Sequence, residues 1–382
     1  MNRNSIIRQQ IIFYNGKSQM KKTPSIWLAC LFGSLLLTTA CEPQQQNTTS
    51  KRQNNVSLGG KPTIGLANCC EKGLVATIDQ YVTAVEEEVQ KQGGKMLSLT
   101  ANENQTKDNP DMQLNQVKQL IDKGAKSVIV VFVSDREVAD NQIKIIEYAE
   151  KKKVAIVAGR RAVPQKLFSQ FNNLYSITVS PNVLGMQQGR MVVEQWKKNP
   201  AWDKNEDKKM SFAVLRGPQE ATQAKTRSDN ALNAIRRDDE LNNAEIVLSA
   251  HTSWKREDAK ATVAKWIKSG KMDQVEVLVA NSDELALGAV DALKEAKKAL
   301  IPIFGINASK EGVQAILDGD MVGSILPDSP TMGALTYQVA ENLARGKEPD
   351  DNLPSKYHFK DTRVINVTPM MVSKENAIKM RL

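Results

Sequence analysis

The sequence predicts an α/β fold made of two doubly wound lobes, each with a mainly parallel sheet between helices. From Pro62 onward, short apolar runs alternate with amphipathic stretches, which is the pattern of strands and helices around parallel sheets. About ten such apolar runs are present, more than one compact sheet usually holds. The chain has 382 residues, enough for two domains with separate cores.

The apolar runs and amphipathic stretches give the predicted elements. Strands are predicted at 63–68, 95–100, 127–133, 154–158, 175–178, 211–216, 244–249, 275–281, 302–306 and 322–326. Helices are predicted at 74–92, 111–123, 137–151, 182–198, 222–238, 256–269, 283–297 and 330–346. Two helices have clear start signals, Ser282 before two acidic residues and Ser329 before Pro330.

Composition places the chain among ordinary globular proteins, with 41% hydrophobic and 25% charged residues. The net charge is +9, but the first 40 residues contribute five basic and no acidic side chains, which leaves +4 for the rest. An excess this small does not indicate a nucleic-acid partner. The only histidines, His251 and His358, have no catalytic or zinc motif around them, so an enzyme is not expected.

The N-terminus has the features of a secretory signal peptide. Two lysines after Met20 precede a short apolar run and then the small residues before Cys41. The segment 37–41 resembles a bacterial lipobox, so residues 1–41 are predicted to be a signal peptide whose true start is Met20, with Cys41 lipidated. An uncleaved membrane anchor is the alternative. Residues 42–61 are rich in Gln, Asn, Ser and Thr and predict a flexible tether.

Beyond the tether the chain resembles a known family over nearly all of residues 62–380. Two segments, 279–293 and 301–308, look like the type I periplasmic binding proteins for sugars. The segments Trp202–Asp207 and Leu215–Gly217 resemble the galactose/glucose-binding branch, which serves ABC importers. The resemblance implies a monomeric periplasmic protein, lipid-anchored here, that closes two lobes over a sugar and delivers it to an inner-membrane ABC permease. Service to a chemoreceptor or sensor remains an alternative.

The resemblance also implies where the lobes begin and end. Lobe 1 is expected at 62–162 and 329–360, and lobe 2 at 163–328 and 361–382. The chain would then cross between lobes near 159–164, 327–329 and 359–363. A sugar-responsive transcription factor shares this core but would need an N-terminal helix-turn-helix, where this chain has a signal peptide and a polar tether.

Several residues match the family's sugar contacts position by position. Trp254 matches a stacking tryptophan and Arg227 a hydroxyl-binding arginine, whereas Asn307 replaces an aspartate. Each also has a structural alternative: a core contact at a helix start for Trp254, a solvated charge for Arg227 and a loop cap for Asn307. The remaining predicted ligand contacts are consecutive: Asn281, Ser282 and Asp283.

Other positions depart from the family pattern. The polar or aromatic contacts expected there are replaced by Gly73, Val75, Val131, Ala221, Gln223 and Pro327. Either the alignment slips in these loops or the ligand differs, and a different ligand is the favoured interpretation. With one apolar wall, the cleft is expected to prefer a deoxy, methylated or glycosidically substituted sugar and to bind glucose and galactose weakly.

The segment 203–211 has the spacing of an EF-hand-like calcium loop. Asp203, Asn205, Asp207 and Ser211 carry oxygen side chains at positions one, three, five and nine, and Lys209 offers a backbone carbonyl at position seven. The resemblance adds Glu276 as a distant ligand and implies a structural Ca²⁺. A solvated charged turn is the alternative, since Lys208 replaces the usual glycine.

Two neighbouring cysteines, Cys69 and Cys70, follow the first predicted strand. In an oxidising periplasm they could form a vicinal disulfide, which requires backbone distortion. Free thiols or an intermolecular contact are the alternatives.

Overall fold

A computed structural model describes residues 60–69, 76–100, 111–133, 138–161, 163–359 and 362–380. The predicted signal peptide, Cys41 and nearly all of the tether lie outside these residues. Within the described part of the chain, no helix is both long and apolar enough to span a bilayer.

The first lobe contains a six-stranded sheet in which all neighbouring strands are parallel. Its strand order is β11-β5-β4-β3-β1-β2. The strands are β1 (Thr63–Asn68), β2 (Lys95–Thr100), β3 (Ser127–Val130), β4 (Ala155–Arg160), β5 (Leu174–Thr178) and β11 (Val364–Asn366).

The second lobe contains another six-stranded sheet, parallel except for one edge strand. Its order is β12-β10-β9-β8-β6-β7, with β12 antiparallel to β10. The strands are β6 (Ser211–Arg216), β7 (Glu245–His251), β8 (Val277–Ala280), β9 (Ile303–Phe304), β10 (Gly323–Leu326) and β12 (Met370–Ser373).

Helices connect the strands and pack against both sheets. They are α1 (Ala76–Lys91), α2 (Asp111–Asp122), α3 (Val138–Lys151), α4 (Gln165–Gln170), α5 (Pro181–Lys198), α6 (Thr222–Arg236), α7 (Arg256–Lys268), α8 (Asp283–Glu295), α9 (Lys310–Asp318), α10 (Ser329–Ala344) and α11 (Lys374–Met380). Short 3-10 turns occupy Pro200–Trp202 and Lys271–Gln274.

The burial of the central strands explains why these sequences form parallel sheets. All four residues of β3 and all four of β8 are buried, because helices cover both faces of each sheet. Edge strand β2 alternates between exposed and half-buried residues instead. The predicted α/β fold with two lobes is therefore confirmed.

One helix start differs from the prediction. Ser282 caps α8 as expected, since its side chain accepts a hydrogen bond from the N–H of Leu285. The cap of α10 is Asp328 rather than Ser329, because the Asp328 carboxylate accepts the N–H of Thr331. Pro330 still lies in the first turn, where its missing N–H costs nothing.

The strand pairing corrects the expected lobe boundaries. Strand β5 pairs with β4, and β11 pairs with β5, so both belong to the first lobe. The chain therefore crosses to the second lobe at 179–180 rather than near 159–164, and its last crossing lies at 367–369 rather than near 359–363. The middle crossing, between the end of β10 and the start of α10, lies at 327–328. The pairing of β5 and β11 with the first sheet sets the positions of these crossings, and the spacing of residues along the sequence does not reveal that pairing.

Candidate functional site

A cavity lies between the two lobes, beside the first two crossings. Its volume is about 20 Å³, within about 390 Å³ of surrounding space that includes open solvent. Several lining residues follow the carboxyl ends of parallel strands, where open α/β sheets usually place their ligands. The described lining residues are Arg160, Val179, Pro181, Leu184, Gln223, Arg227, Asn307, Pro327 and Met332.

Arg227 is the most informative of these residues. Its Nη1 donates to the backbone carbonyl of Asn281 at 3.3 Å, while its Nε is buried without a hydrogen-bond partner. Burial lowers the pKa of the guanidinium to about 10, so it stays protonated at neutral pH. The alternative of a solvated surface charge is therefore not supported, and the buried cation with an unsatisfied donor makes Arg227 a candidate ligand contact.

The helix that carries Arg227 is held close to its neighbour by small residues. A Cβ atom on Gly185 of α5 would overlap the backbone of Arg227, and one on Gly189 would overlap the backbone of Ala231. Because only glycine allows this approach, the two helices pack tightly. The backbone of α6 is thereby fixed beneath the arginine side chain.

Asn281 connects the arginine to the end of β6. Its side-chain oxygen accepts the N–H of Gly217 at 3.2 Å, and its Nδ2 donates to Ser228 at 3.0 Å. The residue is fully buried, and its backbone carbonyl accepts from Arg227. In the structure Asn281 therefore positions Arg227 and does not line the cavity.

The next two predicted ligand contacts are also buried away from the cavity. Ser282 is only 4% exposed and caps α8. Asp283 is fully buried and accepts hydrogen bonds from the Ser309 N–H and the Ser324 hydroxyl, both at 2.6 Å. The structure thus corrects the prediction for these positions, because a strand end turning into a helix buries three consecutive side chains in the core of the second lobe.

Trp254 is not among the described residues that line the cavity. Its indole packs directly on Gly217, where any Cβ atom would overlap the ring. It also packs against the buried core of the second lobe, as the core-contact alternative expects. Through Gly217 and Asn281, the structure places Trp254 in one connected group with Arg227.

Polar groups from both lobes complete the described part of the cavity. Gln223 lies one helical turn before Arg227 on α6, so the two side chains share a face. Asn307 follows β9, and its N–H donates to the carbonyl of Ile325 at 2.8 Å. From the first lobe, Arg160 donates through Nη2 to the hydroxyl of Thr77.

Five of the ten described non-glycine residues with positive φ lie at this cleft or belong to the segments that border it. Positive φ values occur at Arg160 (63°), Trp254 (68°), Asn307 (118°), Ala308 (45°) and Asp328 (49°). Residues with side chains rarely adopt such values, and those that do concentrate at functional sites.

The first-lobe wall is only partly described. Val131 is fully buried in the core of that lobe, and its carbonyl accepts from Gln113 at 2.8 Å, so it does not line the cavity. Cys69 is buried at the end of β1. Cys70, Gly73 and Val75 lie outside the described residues, so the vicinal disulfide and the apolar wall stay predictions.

The loop 203–211 leads into β6, and three of its side chains accept hydrogen bonds from backbone N–H groups of the same loop. The Asp203 carboxylate accepts the N–H of Lys208 at 2.8 Å, and the Asp207 carboxylate accepts the N–H of Lys209 at 2.8 Å. Asn205 accepts the N–H of Asp207 at 3.3 Å. The other Asp203 oxygen is buried and has no hydrogen-bond partner.

Glu276, which lies just before β8, binds to this loop. Its two carboxylate oxygens accept the N–H groups of Lys204 at 3.0 Å and Ser211 at 2.9 Å. Burial, followed by the negative charges of Asp203 and Asp207, raises the pKa of Glu276. In the described residues no three His, Cys, Asp or Glu side chains form a metal cluster, so an ion here would also need amide and backbone oxygens.

Some cavity residues were not predicted from the sequence. Arg160, Val179 and Met332 belong to the first lobe or its crossing, and no motif marks them. A Gly-Arg-Arg segment just after a predicted strand was the available signal for Arg160. Gln223 and Pro327 had been noted only as positions where usual sugar contacts are missing.

Comparison with known proteins assigns the family. Residues 75–348 match the family described as periplasmic binding protein domain. The chain belongs to the periplasmic binding protein family. The resemblance seen in the sequence is thereby confirmed, and the cleft occupies the place between the lobes that it implied.

Named relatives in this family are sugar-binding transport proteins. The D-galactose/methyl-galactoside binding periplasmic protein MglB of Haemophilus influenzae is 30% identical over 302 residues, which cover 78% of this chain and 87% of that protein. The ribose import binding protein RbsB of Bacillus subtilis is 24% identical over 336 residues, covering 86% and 95%.

Solved structures support the fold of this periplasmic binding protein. An ABC transporter periplasmic solute binding protein from Actinobacillus succinogenes with bound D-allose matches with a TM-score of 0.66 at 19% identity, covering 84% of this chain and all of that one. A solute binding protein from Bacillus halodurans with bound myo-inositol matches with a TM-score of 0.65 at 20% identity, covering 84% and 97%.

Proposed function

We propose that this protein is the sugar-binding component of an ABC importer in the periplasm, lipid-anchored through Cys41, and that it delivers its ligand to a membrane permease. The proposal rests on Arg227, which lines the cavity between the lobes and whose buried Nε has no hydrogen-bond partner. A polar cyclic ligand would satisfy this donor when the lobes close over it. Sugar-binding transport relatives support the same conclusion.

Ligand-dependent stabilisation tests the binding function. A sugar at one hundred times its dissociation constant should stabilise the purified chain by about 2.7 kcal/mol. We expect Arg227→Met to lose most of this stabilisation, because the arginine is the central polar contact. Lys225→Met removes the same charge from an exposed position on the same helix and should bind like the parent. If no sugar raises the melting temperature of the parent, the proposal fails.

Transport is tested in the host cell. Deletion of the gene should reduce uptake of the sugar that binds the purified chain, and expression of the parent should restore it. A sugar that binds tightly but whose uptake is unaffected by the deletion would contradict the role in import.

We further propose that the loop 203–211 binds a structural Ca²⁺. The side chains offer the oxygen ligands that calcium prefers, and Lys209 can supply its backbone carbonyl. The buried Asp203 oxygen without a partner supports this, since a cation would satisfy it. Asp203, Asn205, Asp207, Ser211 and Glu276 would hold the ion. Its charge would offset the repulsion between their carboxylates and stabilise the entry to β6.

A further inference from the structure

We propose that the ligand is a sugar acid, whose carboxylate pairs with the Nε and Nη2 edge of Arg227. This inference deepens the proposed sugar-binding function and rests on it. It concerns the charge of the ligand, which the similarity to known proteins does not reveal.

The described walls of the cavity are cationic. They contain two arginines, Arg160 and Arg227, and two neutral amides, Gln223 and Asn307, whereas none of the described lining residues is acidic. The nearest acidic residue along the chain from these walls is Asp328, and its carboxylate caps the N-terminus of α10. Among the described lining residues, Arg227 therefore has no carboxylate to balance its charge.

The geometry of Arg227 favours a planar anion. Nη1 is used by the Asn281 carbonyl, and within the described structure the guanidinium makes no other hydrogen bond. The opposite edge carries Nε and Nη2, and Nε is buried without a hydrogen-bond partner. Two parallel N–H groups on this edge match the two oxygens of a carboxylate.

Charge compensation favours an acid over a neutral sugar. A buried guanidinium that lacks a counter-charge destabilises the protein, and burial is the cause of its lowered pKa. A hydroxyl group can accept one hydrogen bond from it but leaves the charge uncompensated. A carboxylate both accepts two hydrogen bonds and neutralises the charge, so its binding should be strongly preferred.

The remaining polar groups indicate a sugar rather than a simple organic acid. Gln223 and Asn307 each carry both a donor and an acceptor, which is what sugar hydroxyls require. Both line the same cavity as Arg227. A ring with several hydroxyls and one carboxylate would engage all three side chains together.

Matched ligands that differ only at C6 test this inference by calorimetry on the purified chain. The pairs are galactose with galacturonate, glucose with glucuronate and mannose with mannuronate, and galactose 6-phosphate serves as the phosphate counterpart. We expect at least one acid to bind at least tenfold more tightly than its neutral partner and than the phosphate. Arg227→Met should abolish this preference, and Lys225→Met should retain it.

A second variant keeps the test independent of Arg227 itself. Asn307→Asp places a carboxylate in the cavity wall. It should weaken binding of the sugar acid and reduce the ratio of its affinity to that of the neutral sugar at least threefold. Equal or tighter binding of the neutral partners in the parent would overturn the inference while leaving the sugar-binding function intact. Tighter binding of the phosphate would overturn the assignment of a carboxylate, and failure of every sugar to bind would refute the proposed function as well.

Discussion

Individual residues in the second lobe show how closely this core fits around one carboxyl group. Asp283 is fully buried, and hydrogen bonds from Ser309 and Ser324 satisfy its two oxygens. Gly305 and Gly312 flank it, and a Cβ atom at either position would overlap the carboxylate. The space between Gly305 and Gly312 therefore accommodates only the Asp283 carboxylate. Its hydrogen bond to Ser309 connects the start of α8 to the loop before α9.

A pH dependence of stability follows for Asp283. Burial raises its pKa from 3.8 to about 7, so the folded state binds the proton more tightly than the unfolded state. The stability that this proton contributes is complete below about pH 4 and is lost as the pH rises through 7. Urea unfolding at pH 5 and pH 8 should show the parent losing about 2 kcal/mol more than Asp283→Asn over this interval.

Comparison of the parent with the variant separates Asp283 from other titrating groups. Glu276 also has a raised pKa, and Glu88 and Glu245 have lowered ones, but these contributions are common to both proteins. Equal losses of stability in parent and variant would show that Asp283 is ionised throughout and that its burial does not control its protonation.

At the scale of elements, the loop 203–211 connects the 3-10 turn Pro200–Trp202 to β6. Two residues in it adopt positive φ, Glu206 at 56° and Lys208 at 56°. The loop holds this conformation because its own carboxylates accept backbone N–H groups, and Glu276 accepts two more from Lys204 and Ser211. Lys208, at the position where a calcium loop usually has glycine, thus adopts the positive φ that this position requires.

Calcium should therefore stabilise the protein through Glu276. We expect Ca²⁺ to raise the melting temperature of the parent and to leave that of Glu276→Gln nearly unchanged, because the variant loses the charge that completes the ligand set. Glu245→Gln is the matched control, since Glu245 is an exposed carboxylate paired with Lys209 and is not a proposed ligand. A parent melting curve that is identical with calcium and with chelator would remove the ion from this site.

At the scale of the whole molecule, three crossings join the lobes, and two of them border the cavity. Val179 and Pro181 lie at the first crossing and Pro327 at the second, and all three line the cavity wall. Rotation about these segments would bring Arg160 of the first lobe toward or away from Arg227 of the second. A bound solute that contacts both lobes at the hinge would couple ligand capture to lobe closure.

Attachment of the protein to the membrane is predicted to depend on one cysteine. Cys41→Ala should release the protein from the membrane fraction or leave an uncleaved precursor, since the proposed lipid would be added to that side chain. Cys30→Ala changes a cysteine inside the apolar run and should remain anchored. Membrane fractionation with gel mobility measures both, and a Cys41→Ala protein that fractionates and migrates like the parent would disprove lipidation.

The sequence by itself determined the fold class and most strands and helices of this protein. Local periodicity was sufficient for this, as in β1 and β6, whose predicted bounds match the structure. It missed β11 and β12, which are short edge strands whose pairing partners lie far away along the chain. The assignment of β5 to the first lobe likewise depends on hydrogen bonds to β4 that no local pattern encodes.

The site was only partly predictable for the same reason. Sequence similarity identified Arg227 and Asn307, but it could not show that Ser282 and Asp283 are buried in the core while Gln223 lines the cavity. Whether a side chain reaches a cleft depends on how strands and helices from distant segments pack around it. Only the tertiary structure brings Arg160, Arg227 and Asn307 to one cavity, where Arg227 is buried without a counter-charge, the observation from which we infer an acidic ligand.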